Sequence, residues 1–241
     1  AKGSTPGDLA DGGQIMDNFQ YANGKDHWLM NAWWDDHYNF IFACNDVIHD
    51  IDSLNLTDPG SIINKAEARF LRAWAYFDLV RDYGEVPIID FKVYAPGDAN
   101  KPKKTVNEVY NFIEADLQYA ASFLPLSWGT QYPGRLTKGT ANTLLAKVYL
   151  YRQNWVGALA KCEEVINSGQ YALITGGTGS IHPYHYYFLE EGENSSESIF
   201  EIQMYENANG SVWYGNSHNQ VQGVRGSGDW DLGWGFNVPT A

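Results

Sequence analysis

Six aromatic residues form a candidate ligand-stacking set: Trp28, Trp33, Trp213, Tyr214, Trp230 and Trp234. An indole presents a flat apolar face and a polar edge, which suits stacking on the C–H face of a sugar ring. Asn31, Asn207, Asn209, Asn216, Arg225 and Asp229 share their segments and could exchange hydrogen bonds with sugar hydroxyls. The predicted ligand-binding set is therefore Trp28, Asn31, Trp33, Trp213, Tyr214, Arg225, Asp229, Trp230 and Trp234. The competing reading is that each ring plugs a loop onto the scaffold. The expectation is that only some of the set stand exposed. Trp34 and Trp74 fall on helix core faces and are assigned to packing, as is Trp155 at a helix turn.

Other chemistries find less support. A glycosidase needs two carboxyl groups about 5–10 Å apart across a cleft. Asp35–Asp36, Glu163–Glu164 and Glu190–Glu191 are adjacent pairs. Neighbours on a helix point about 100° apart, so a solvated face explains the first two better. His182, His185 and Glu190 are plausible metal-ligand types, but Pro183 opposes a helix that would align the histidines, and no HExxH occurs. There is no GxSxG nucleophile motif. The glycines of GVRGSG do not open a helix after a strand, as a phosphate cradle requires. The expectation is no catalytic residue, no metal and no cofactor.

Composition narrows the partners. The chain has 241 residues, 44% of them hydrophobic and 19% charged, and carries a net charge of −13. That describes a globular protein with a sizeable core. Phosphate backbones need a cationic face, so nucleic acid is excluded as a partner. Nine Trp and sixteen Tyr are more than a core requires. Cys44 and Cys162 each fall in a predicted helix among apolar neighbours and read as buried free thiols. No apolar run approaches the ~20 residues that cross a bilayer. Both ends read as those of a fragment.

The elements that must carry the rings are mostly helices. Residues 1–31 are loop-like. A first helix is predicted from Asn31 to Ser53, with Trp34, Tyr38, Ile41, Asn45 and Ile48 on one face. After the Asp-Pro-Gly turn, Ser61 is expected to cap a second helix over 62–83, with Ala66, Phe70, Ala73, Phe77 and Val80 as its stripe. Gly84 can close it. A short extended piece is expected at 86–89. Thr105 and Glu108 have the spacing of a capping box and open a third helix over 106–123. A fourth is predicted from Thr137 to Tyr151 and a fifth from Trp155 to Ser168, stopped by Gly169. Ser198–Tyr205 alternates as a strand would. Residues 31–170 form the predicted scaffold; 171–241, Gly-rich at the end, form the predicted ligand-binding segment.

An internal echo links the second and fourth helices: Ala68, Ala73 and Tyr76 recur as Ala141, Ala146 and Tyr149. The offset is near twice the 34-residue tetratricopeptide period. The fold expected is mostly α: tetratricopeptide-like helical hairpins with long irregular loops. Here the residues become specific. The run AEARFLRAWAYFDL, followed by a helix-ending glycine and Val-Pro, resembles the signature of the SusD/RagB outer-membrane lipoproteins. So do Trp34–Asn45, Arg135–Leu150, Ala158–Tyr171 and Glu197–Glu201. The resemblance spans about residues 33–202 and implies a single domain of which this chain is a part. It implies a cell-surface glycan-binding protein, lipid-anchored to the outer membrane, that serves a TonB-dependent, SusC-like transporter and performs no chemistry. A peptide-binding scaffold and a carbohydrate-active enzyme are the alternatives carried forward.

Overall fold

In a computed structural model, residues 28–175 and 183–204 are described. Residues 36–202 form one compact body, and 28–35 with 203–204 belong to another. The described elements are α1 (Trp28–Ser53), α2 (Pro59–Tyr83), β1 (Val86–Pro87), a 3-10 turn (Pro96–Ala99), β2 (Lys103–Lys104), α3 (Val106–Phe123), α4 (Lys138–Tyr151), α5 (Trp155–Asn167), the single turn α6 (Pro183–Tyr186) and a second 3-10 turn (Glu190–Gly192). From α2 to α5 each helix packs on the next, and α2 also reaches α4. This is the stacked-hairpin arrangement expected of tetratricopeptide-like repeats.

Local chemistry fixes most ends. Thr105 and Glu108 form the capping box, Oγ1 accepting from the Glu108 amide and the carboxylate from the Thr105 amide at 2.9 Å. Gly84, at φ 73°, closes α2 by donating its N–H to the Val80 carbonyl. Gly169 takes φ 66° after α5; a side chain in this left-handed region would be strained. One cap departs from expectation. Asp58, not Ser61, is the N-cap of α2: its carboxylate accepts from the Ser61 amide at 3.0 Å, and Pro59 occupies the first turn, where no amide partner is needed. The helix therefore starts three residues earlier than predicted.

The echoed residues meet at the helix contacts. Ala68, Ala73 and Tyr76 are buried, as are Ala141 and Ala146. α2 is buried almost all round, including Ala75, Leu79 and Arg72 off the predicted stripe, because neighbours cover more than one of its faces. The Arg72 guanidinium reaches Asp116 on α3, Nε to Oδ2 at 2.8 Å, and Asn45 on α1 at 2.6 Å. The Tyr76 hydroxyl accepts from the Ile89 amide at 2.7 Å and donates to its carbonyl at 3.3 Å. That carbonyl also accepts from Asn45 Nδ2, and Tyr38 donates to the Pro87 carbonyl at 2.7 Å. The connection after α2 is thereby tied down, and β1 pairs antiparallel with β2.

Three expectations are corrected. Residues 198–204 form no strand but an irregular segment: among the described residues it has no partner strand, and Phe200 instead packs edge-on against Trp74 and Phe70. Tyr205 lies outside the described residues. Cys44 is buried, but Cys162 is exposed on the outer side of α5. Trp155, at the start of α5, is also exposed and does not serve as a packing residue there.

Candidate functional site

Of the predicted ligand-binding set, the structure describes Trp28, Asn31 and Trp33. Trp213, Tyr214, Arg225, Asp229, Trp230 and Trp234 lie outside the described residues, as do Asn207, Asn209, Asn216 and His182. Trp28 and Trp33 are not on a loop. α1 begins at Trp28, so both rings occupy its first turns. Trp28 is 54% exposed and Trp33 43% exposed, and Asn31 is exposed as well. At 100° per residue, Trp28 and Asn31 stand about 60° apart around the helix axis and share a face. Trp33 stands about 140° from Trp28. The helix thus joins Trp28 to Asn31 and turns Trp33 elsewhere. Trp34 is half-buried, and Trp74 packs on Phe70 at 6.4 Å, as expected of core-facing rings.

A second aromatic group was not anticipated as a site. The loop between α3 and α4 turns on Pro133 and Gly134, the latter at φ 69°. It stacks Trp128 and Tyr132 edge to face, with centroids 5.7 Å apart. The Arg135 guanidinium lies 4.0 Å from the Trp128 ring centre, a cation–π contact. Its Nε and Nη2 also grip the Glu67 carboxylate at 2.7 and 2.9 Å. This pairing raises the Arg135 pKa further, the hydrogen bond to Glu67 being the main cause. The Trp128 Nε1–H donates to the Leu136 carbonyl at 2.7 Å. Trp128, Tyr132, Pro133, Gly134 and Arg135, together with Tyr171 and the 198–201 segment, line a hollow of about 420 Å³, within the ordinary range for small-molecule sites. Only the spacing Trp128–Tyr132–Arg135 around a Pro-Gly turn hinted at it, because the opposite wall comes from distant sequence.

The adjacent carboxylate pairs lie on solvent-exposed positions. Asp35, Asp36, Glu163 and Glu164 are all exposed on helices, and Glu164 pairs with Lys161 at 2.7 Å. Glu190 and Glu191 begin an exposed 3-10 turn. Among the described residues no group of three or more His, Cys, Asp or Glu is placed to hold a metal ion. No described helix is long and apolar enough to cross a membrane.

The same chain has clear relatives. It is 32% identical over 246 residues to SusD-like protein P2 of Formosa agariphila, an alignment covering 96% of this chain and 46% of that protein. The chain thus spans about half the length of that relative. Its structure superposes on a SusD-like protein from Bacteroides fragilis with a TM-score of 0.71 at 31% identity, over 86% of this chain and 39% of the other. A laminarin-binding SusD-like protein gives 0.72 at 29% identity, over 85% and 47%. Residues 9–150 match the SusD-like family described as starch-binding and associating with the outer membrane, and with the stacked helical pairs and the α2 signature in place, the chain belongs to that family.

Proposed function

We propose that this protein captures oligosaccharides at the cell surface and delivers them to a TonB-dependent, SusC-like transporter without altering them. The observation that carries the reading is the likeness, over 85% of the chain, to a laminarin-binding SusD-like protein. The exposed indoles of Trp28 and Trp33 support it, since large aromatic rings in contact with water are what a sugar-stacking surface needs. Trp28 with Asn31 supplies one ring and one amide on a shared helix face. Trp213, Tyr214, Arg225, Asp229, Trp230 and Trp234 complete the proposed binding set from the 171–241 segment. The charge of −13 favours neutral ligands over anionic ones. A lipid anchor in the full-length protein would hold it at the outer membrane.

The test is affinity electrophoresis and calorimetry against laminarin, xyloglucan, starch and a mixed peptide pool. Binding to at least one glycan is expected, with no reducing ends released. Trp28→Ala or Trp230→Ala is expected to weaken affinity about tenfold, near 1.4 kcal/mol per ring, with the melting temperature unchanged. Glycan affinity untouched in every tryptophan variant, together with binding of the peptide pool, would replace this reading with a peptide scaffold. Release of sugar products, lost with one carboxylate, would replace it with an enzyme.

A further inference from the structure

The hollow beside Trp128 has a neighbour that shares Tyr171. A second hollow of about 220 Å³ adjoins it, and the two share Leu126, Gln170 and Tyr171 as a common wall. Asn142 of α4 lines the second hollow at 2% exposure. Its Nδ2 donates to Glu164 Oε2 at 3.0 Å. A carboxylate only accepts, so this bond fixes the orientation of the amide and leaves Oδ1 as the other pole. That oxygen is buried and has no hydrogen-bond partner. A buried acceptor left unpaired costs about 1–3 kcal/mol, a cost that a hydroxyl donor would remove.

The larger hollow supplies a different surface. Tyr132 is 47% exposed at its rim. Trp128 is held by its hydrogen bond to Leu136 and by Arg135. Among the described residues, the cation stacked on these rings is Arg135, neutralised by the bidentate grip of Glu67; Glu201 adds a carboxylate to the wall, and in the second hollow Lys138 is balanced by Glu164. At the larger hollow this balance, one paired cation and an added carboxylate, disfavours phosphates and uronates. The lining accepts hydroxyl protons and stacks apolar ring faces, which together describe a neutral pyranose.

We propose that this double hollow is a further oligosaccharide-binding site for neutral glycans, using none of the residues assigned above. One pyranose lies against Tyr132 and Trp128, and a hydroxyl of the glycan donates to Asn142 Oδ1. The proposal rests on the reading that the protein captures oligosaccharides, and it adds a place where that capture occurs.

The Trp128 indole N–H is a built-in reporter, because its bond to Leu136 fixes it beneath the hollow. Protein labelled with 15N at tryptophan is titrated with laminari-oligosaccharide, xyloglucan oligosaccharide and oligogalacturonate; Trp128→Phe assigns the resonance. The expected result is a saturable shift of the Trp128 signal with at least one neutral glycan and none with oligogalacturonate. Tyr132→Ala, at an exposed position, is expected to raise the midpoint of that shift at least tenfold while shifts at the other indoles keep theirs. If other indoles move and Trp128 stays still, glycan capture stands and this site falls. An unchanged midpoint in Tyr132→Ala, or an equal response to oligogalacturonate, also overturns it. If no indole responds to either neutral glycan, the capture reading falls and takes this site with it.

Discussion

Arg72 of α2 and Asp116 of α3 face each other in the core as a bidentate ion pair, Nε to Oδ2 at 2.8 Å and Nη2 to Oδ1 at 2.9 Å, with Asp116 fully buried. The pair does not stand alone. Arg69 adds a third contact to Asp116 at 2.6 Å, and the free arm of Arg72 reaches Asn45 on α1. One guanidinium therefore links three helices.

Removing Asp116 would leave the Arg72 charge buried with Asn45 as its remaining side-chain hydrogen-bond partner and the Phe112 ring beneath it. Asp116→Ala is expected to lower stability by about 3–5 kcal/mol, read from urea denaturation. Arg69→Ala, which removes a partly exposed partner, is expected to cost less. Equal losses in the two variants would mean that burial of Arg72 is not what makes the pair costly to break.

The Tyr76 hydroxyl holds the Ile89 backbone on both sides. Tyr76→Phe keeps the ring packing and removes only that oxygen. The Ile89 amide then has no acceptor in a buried place, and the expected loss is about 1–3 kcal/mol. Tyr149 occupies the matching position in the second repeat, but there the hydroxyl accepts from Gln118 in an exposed setting. Tyr149→Phe is expected to cost little. Similar losses at both sites would contradict the asymmetry.

The capping box sets a pH dependence. Hydrogen bonds from the Thr105 hydroxyl and amide lower the Glu108 pKa from 4.5 to about 2. The folded state thus favours the ionised form, and the stabilisation is complete above the unfolded value and disappears as pH falls through the folded one. Melting curves of wild type and Glu108→Gln should differ by a constant amount above about pH 5. The difference should shrink between pH 4.5 and 2. A gap that persists below pH 2 would exclude the carboxylate as its source.

The cysteines should separate by exposure. Burial pushes the Cys44 thiol up to about 11, while Cys162 lies in contact with water. At pH 8 a thiol reagent is expected to modify one cysteine per chain quickly and the second only after unfolding. Cys162→Ser should abolish the fast phase. Two fast thiols in the native protein would show that the α1–α2 contact opens readily.

The amino-acid sequence by itself determined the helices and where most of them stop. Thr105 with Glu108, Gly84, Pro125 and Gly169 act within one or two turns of chain, so their effects can be read without knowing the neighbours. The Ala-Ala-Tyr echo likewise announced the paired helices, because small residues are required wherever helices approach closely. The Asp58 cap is equally local, with Pro59 marking the first turn, but Ser61 offers a competing capping side chain three residues on. What the tertiary structure alone decided were relationships between distant segments. It made α2 buried on several faces, left the apparent strand at 198–204 irregular, with Phe200 packed on Trp74 and residues 198–201 walling the hollow, and set Trp155 and Cys162 against water. It also closed a hollow from Trp128, Tyr171 and Phe200. No local pattern encodes such a site, because its geometry exists only once the helices between those residues have packed.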